Sequence, residues 1–122
     1  VPFTRADNGR ETAPAVYALP ANGAEEVLYS LYMGGDVGET VIRTDRPELP
    51  SILIYGDSFT NLVECLAYYS FDEMRSLDLR HYREMSLADY IRLHQPDIVV
   101  GIRDYEVLLS TDCNGSPFSV QP

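Results

Sequence analysis

Between Ser51 and Ile102 short apolar runs alternate with stretches of helical spacing. Ile52 to Tyr55 is an unbroken run that reads as a short strand. Residues 61–69 read as a helix with Leu62, Cys65, Leu66 and Tyr69 on one face. Residues 73–79 return to strand, with Met74, Leu77 and Leu79 as the apolar positions. Ser86-Leu87-Ala88-Asp89 is a capping-box-like start, with Asp in place of the usual Glu or Gln. It opens a helix carrying Leu87, Tyr90, Ile91 and His94, which Pro96 ends. Residues 97–102 hold the apolar run Ile98 to Ile102, the pattern of a parallel strand covered on both faces. The order β-α-β-α-β predicts a three-stranded parallel sheet with right-handed crossovers. Ligands of such sheets bind outside the carboxyl ends of the strands.

The first third of the chain follows a different pattern. Residues 1–24 are rich in Pro, Gly, Ala, Asn and Thr and read as an irregular lead-in, packed in part through Phe3, Val16, Tyr17 and Leu19. Residues 26–44 hold two β-rich runs, Val27 to Met33 and Thr40 to Thr44, joined by Gly34-Gly35-Asp36-Val37-Gly38, and predict a β-hairpin. Residues 45–50 form a loop with two prolines. Residues 105–109 are weakly helical, and Asn114-Gly115-Ser116-Pro117 is loop-like. The chain thus reads as one domain over residues 1–122, or the C-terminal fragment of one, with its core at 51–109.

Composition narrows the function classes. Acidic residues outnumber basic ones 19 to 9, for a formal net charge of -10, and all nine bases are Arg. Phosphate backbones and anionic membrane surfaces need clustered cations, so neither is an expected partner. No apolar run approaches the length of a membrane span. No G-x-G-x-x-G or phosphate loop follows any strand, so no nucleotide or other cofactor is implied. Cys65 and Cys113 are the only cysteines and make no zinc signature. Cys65, in an apolar helical stretch, reads as a buried thiol, and a disulfide with Cys113 stays open. The chain opens Val1-Pro2-Phe3 without Met, which reads as a mature product or an excised piece.

The three strand ends carry the candidate chemistry: Gly56-Asp57-Ser58, Asp78-Leu79-Arg80-His81, and Gly101-Ile102-Arg103-Asp104. A strand that stops at Gly and presents Ser at a helix start aims a hydroxyl at solvent, beside N–H groups able to hold an oxyanion. The plainer reading of Ser58 is a helix cap. Asp57 reads as a cap or loop tie rather than a base, because a helix N-terminus stabilises its anion. Arg80 either binds a substrate carboxylate or oxyanion, or pairs with Asp78 or Asp57. His81 is within reach of serving Ser58 as base from the neighbouring strand end. His94 reads as packing. Of the nine tyrosines, Tyr82 and Tyr105 sit nearest the strand ends, where a carbohydrate-stacking platform would lie.

Gly56-Asp57-Ser58-Phe59 after an apolar strand resembles the first block of the SGNH (GDS) hydrolases. More of the chain resembles the DHHW protein family, relatives of the alginate O-acetyltransferase SGNH domains. The resemblance rests on Leu31-Tyr32-Met33-Gly34-Gly35-Asp36, Ile42-Arg43-Thr44, Ile54 to Asn61, Leu77 to Tyr82, and Ser86 to Ile91. It implies a partial SGNH-like (flavodoxin-like) three-layer sandwich over roughly residues 28–109. It also implies that Ser58 attacks an ester carbonyl, that the family's Asp-His pair lies N-terminal to Val1, and that the isolated chain is inactive. Gly35, Asp57, Asn61, Arg80, His81, Gly101 and Arg103 become the expected substrate- or oxyanion-binding residues. Arg103 stands where SGNH enzymes keep the Asn of a Gly-x-Asn-Asp block. Gly34-Gly35-Asp36, by itself a tight turn, borders the site in this reading. The expected substrate is an O-acylated carbohydrate or small ester of the cell envelope or secreted glycans, outside the cell, and no metal is implied. The expected macromolecular partner is the missing N-terminal segment or a self-associated copy. The alternative is a degenerate SGNH scaffold that binds carbohydrate or protein without catalysis; a small flavodoxin-like signalling domain is a weaker third reading.

Overall fold

The computed structural model describes residues 1–21 and 28–105. Among these residues six strands form one sheet: β1 (Thr4–Asp7), β2 (Arg10–Thr12), β3 (Glu39–Arg43), β4 (Ile52–Gly56), β5 (Glu73–Asp78) and β6 (Ile98–Ile102). Their spatial order is β2-β1-β3-β5-β4-β6. β4 is flanked by β5 and β6, both parallel to it, while β3 runs antiparallel to β5 and β1 antiparallel to β3. Helices α1 (Thr60–Ala67) and α2 (Leu87–His94) cover opposite faces of this sheet. Ile42, Ile52, Ile54 and Met74 meet Cys65 of α1 on one face; Leu53 and Leu77 meet Leu87 and Tyr90 of α2 on the other. The result is the α/β three-layer sandwich that the resemblance implies, built on the parallel β4, β5 and β6 that the pattern predicts.

The parallel core follows from its residues. Ile52, Leu53 and Ile54 are all buried, because β4 has a neighbour on both edges and a helix over each face. Each such side chain contributes roughly 1.5–3 kcal/mol when fully buried. Gly56 closes β4 for a steric reason: a Cβ there would lie 1.7 Å from the Ile102 carbonyl oxygen. Ser86 caps α2 by accepting the Asp89 N–H at 3.1 Å, and Gln95 ends the helix in the left-handed region, at φ 48°.

Four expectations are overturned. Over the described residues 28–44 there is no hairpin. Tyr29–Leu31 is a 3-10 turn, and positive φ at Met33, Gly34 and Gly35 carries the chain away from β3, which pairs with β1 and β5 instead. Within the expected irregular lead-in, residues 4–12 form a hairpin: Asn8 and Gly9, at φ 48° and 75°, turn β1 into β2. Asn-Gly is the strongest short hairpin signal, but the polar strands around it hid it. Val16 is buried there, whereas Tyr17 and Leu19 are exposed. α1 is turned from the face its pattern suggests: Cys65 is buried as expected, but with Thr60, Asn61 and Glu64, while Leu62, Leu66 and Tyr69 lie outward. β6 is not doubly covered; it is an edge strand with Ile98 and Val99 exposed. Most of the 105–109 segment, the 114–117 loop and Cys113 lie outside the described residues, and Cys65 is a free buried thiol.

Candidate active site

From β4 the chain moves to β5 on one side through α1, then crosses to β6 on the other side through α2. The strand order therefore reverses at β4, and the carboxyl end of β4 is the topological switch point of the parallel sheet, where such folds form their binding crevice. Gly56-Asp57-Ser58 occupies that point. Ser58 is half-buried and lies just before α1. Its carbonyl accepts the Asn61 N–H at 3.2 Å and the Tyr29 hydroxyl at 2.8 Å, so the 3-10 turn pins the serine turn from outside.

Asp57 has a structural role. One carboxylate oxygen accepts the Phe59 N–H at 3.0 Å, and the other accepts the Asp104 N–H at 2.9 Å. It thereby ties the helix start to the end of β6. A buried carboxylate with both oxygens so engaged is a brace for the serine turn.

The second strand end supplies the charged part of the site. Arg80 donates to both oxygens of the buried Asp78, at 3.0 and 2.6 Å, and to Asp36 at 2.9 Å. Hydrogen bonds to Asp78 hold the guanidinium well above its ordinary pKa, and the charges of Asp78 and Asp36 add to this against the cost of partial burial. Asn61, near the start of α1, donates toward the Gly35 carbonyl and Asp36, both at 3.4 Å. The imidazole of His81 stands 3.9 Å from Asp36 and is half exposed. Gly35, Asn61, Arg80 and His81 thus converge around Asp36, which the sequence reading did not single out among the binding residues. Asp36, Asp78 and His81 are close enough together to reach one metal ion. The Arg80 guanidinium already bridges the two carboxylates, so the positive charge of this cluster is its own side chain.

The third strand end is built differently. The position of Gly101 is set by packing, since a Cβ there would lie 2.7 Å from the Tyr55 ring. Arg103 is half-buried just beyond β6. Two contributors escaped sequence reasoning. Tyr29 lies in what reads as a β-run, and no local signal sends its hydroxyl to residue 58. Asp36 had one available clue, its place beside Gly35 in a turn that the resemblance sets at the border of the site.

No family model matches this sequence, and no curated protein matches it. Solved structures do. PatB1 of Bacillus cereus aligns with a TM-score of 0.68 and 27% identity over 98% of this chain and 38% of that chain. The same protein with a sulfonyl adduct gives 0.69 and 26% over 98% and 39%. A DHHW family protein from Eubacterium siraeum gives 0.63 and 23% over 83% and 34%, a likeness of fold alone. The chain carries the SGNH-like fold of these structures. It spans between 34% and 39% of the length of these structures. Among the described residues, no helix is long and apolar enough to cross a membrane.

Proposed function

We propose that this chain is the serine-bearing part of an SGNH-like ester hydrolase or O-acyltransferase, acting on acetyl or similar esters of a cell-envelope or secreted glycan. The observation that carries the reading is the position of Ser58, at the switch point of the sheet and the start of α1. Ser58 is half-buried there, and because the Phe59, Thr60 and Asn61 N–H groups already donate to Asp57 and to the Ser58 carbonyl, the oxyanion donors in this reading are side chains such as Arg103. Attack of the Ser58 Oγ on the ester carbonyl would form an acyl-enzyme and release the alcohol; water or a sugar hydroxyl would then take the acyl group. The sulfonyl adduct borne by PatB1 is the kind of product an activated nucleophile gives, which supports covalent chemistry in this fold.

The general base comes from outside these residues in this reading. His81 touches Asp36 only at 3.9 Å, while Asp36 itself is engaged by Arg80. Gly35, Asn61 and Arg80 then border the acyl pocket, with Arg103 in the place of an oxyanion amide. The test is turnover of p-nitrophenyl acetate by the chain alone and by the chain extended through its upstream reading frame. Activity only in the longer protein, lost in Ser58→Ala, is the expected result. Activity that survives Ser58→Ala sinks the assignment. The second reading, a binding scaffold without catalysis, draws on Arg103 standing where an Asn is expected; it predicts silence from both proteins.

A further inference from the structure

A groove of about 750 Å³ opens near Asp36 and His81, at the sheet end that carries Ser58, and runs along the α2 face past the Asn8-Gly9 turn and Tyr90 to His94. β3 is antiparallel to β5, so Glu39 at the start of β3 sits opposite Leu77 near the end of β5. β1 in turn delivers Asn8 there, its backbone N–H donating to the Glu39 carbonyl at 2.8 Å.

The floor of the groove is prebuilt. Tyr90 is fully buried and its hydroxyl donates to Glu39, while Arg75 donates to Tyr90 at 3.1 Å and to Glu73. His94 and Tyr82 pack on the Tyr90 ring, with centroids at 4.3 and 5.5 Å. Burial and the negative charges of Glu39 and Glu84 push the Tyr82 hydroxyl up to about 12, so it stays a neutral donor and acceptor at any physiological pH. The arginines of the groove are engaged internally. Arg75 serves Glu73 and Tyr90, and Arg83 donates to the carbonyls of Leu79, Tyr82 and Arg80. Three acids, Asp36, Glu39 and Glu84, line the same space, in a chain of net charge -10. An anionic ligand would meet repulsion from these acids and arginines already committed to other partners. A cleft of this size, floored by the packed Tyr90, Tyr82 and His94 rings and lined by paired donors and acceptors, suits a ligand that is itself neutral and dense in hydroxyls.

We infer that this groove binds a neutral oligosaccharide and holds the glycan at the sheet end that carries Ser58. The link to Ser58 rests on the proposed function; the binding does not. The experiment is an amide-resolved NMR titration of the chain with cellotetraose, chitotetraose, xylotetraose and, as the anionic control, trigalacturonate. The expected result is saturable shifts at Gly38, Met85 and His94 with at least one neutral sugar. Tyr82→Ala should weaken binding about tenfold, the loss of one to two good contacts. The exposed His81→Ala, which leaves the packing on Tyr90 intact, should do the same. Ser58→Ala should bind as the parent does. No shifts at about 10 mM of any neutral sugar, a weak affinity by any measure, overturn the inference, as do shifts confined to another face or a preference for trigalacturonate. Binding in the groove with an inert Ser58 would overturn only the catalytic reading. A reactive Ser58 with an empty groove would overturn only this one.

Discussion

Glu64 makes the sharpest demand on the structure. It is 2% exposed on the sheet-facing side of α1, an acid in the position where a helix ordinarily puts an apolar residue. Burial raises its pKa from the ordinary 4.5; hydrogen bonds from Ser76 and Thr60 and the charge of Arg5 oppose the shift, and Asp78 adds to it. The folded state therefore holds the proton more tightly than the unfolded state. Below the unfolded value both states are protonated and the full stability is present. Above it the unfolded chain ionises first, and stability falls by about 1.4 kcal/mol per pH unit until the folded value is passed. Glu64→Gln removes the proton from this balance and keeps an oxygen for Ser76. Urea unfolding of the parent and this variant from pH 4 to 8 should give stability curves that lie closest at the acid end. They should separate with rising pH, the variant gaining on the parent. Contributions from the other acids cancel in the difference. Glu64→Ala should lose about 2–4 kcal/mol at the acid end, from two broken hydrogen bonds and the space left behind. A constant difference between the parent and Glu64→Gln across the whole range would refute the argument.

Three further outcomes follow from the same geometry. Gly56→Ala must displace the Ile102 carbonyl, so it should cost about 2–4 kcal/mol and loosen the β4–β6 pairing, visible as faster amide exchange along β6. Unchanged exchange there would contradict it. Arg80→Met strips the counter-charge from the buried Asp78 and should cost about 2–3 kcal/mol by urea unfolding; a loss below about 0.5 kcal/mol would show the pair to be dispensable. Among the described residues no strand pairs with the outer edge of β6, and Ile98 and Val99 are exposed there; this edge should make the chain self-associate, and Val99→Lys should return it to monomer in sedimentation equilibrium. A wild-type monomer at high concentration would count against that.

The parallel core was legible because its signals are local. A run such as Ile52 to Tyr55 can only be satisfied on both faces, and Ser86 with Asp89 spells its own helix start. What was missed depends on distant partners. The apolar stripe of α1 pointed to a buried Leu62 and Leu66, yet Glu64 and Asn61 face inward, because Ser76 on β5 and Asp36 beyond Gly35 offer them hydrogen bonds. Nothing in the sequence near residue 64 announces those partners. The hairpin at 26–44 failed for a related reason: β-propensity in Tyr29 to Leu31 lost to the left-handed run at Met33 to Gly35. At the site, Ser58 and Arg80 could be read from strand ends, whereas the centrality of Asp36 emerges only when three separate segments meet.

The central claim is that Ser58 is positioned as a nucleophile. Its most direct test is treatment with a fluorophosphonate, with the adduct mapped by mass spectrometry, on the upstream-extended protein and on its Ser58→Ala variant. The account predicts one adduct, on Ser58, absent from the variant and absent or far slower in the isolated chain. An adduct on another residue, or none in the extended protein, would contradict it.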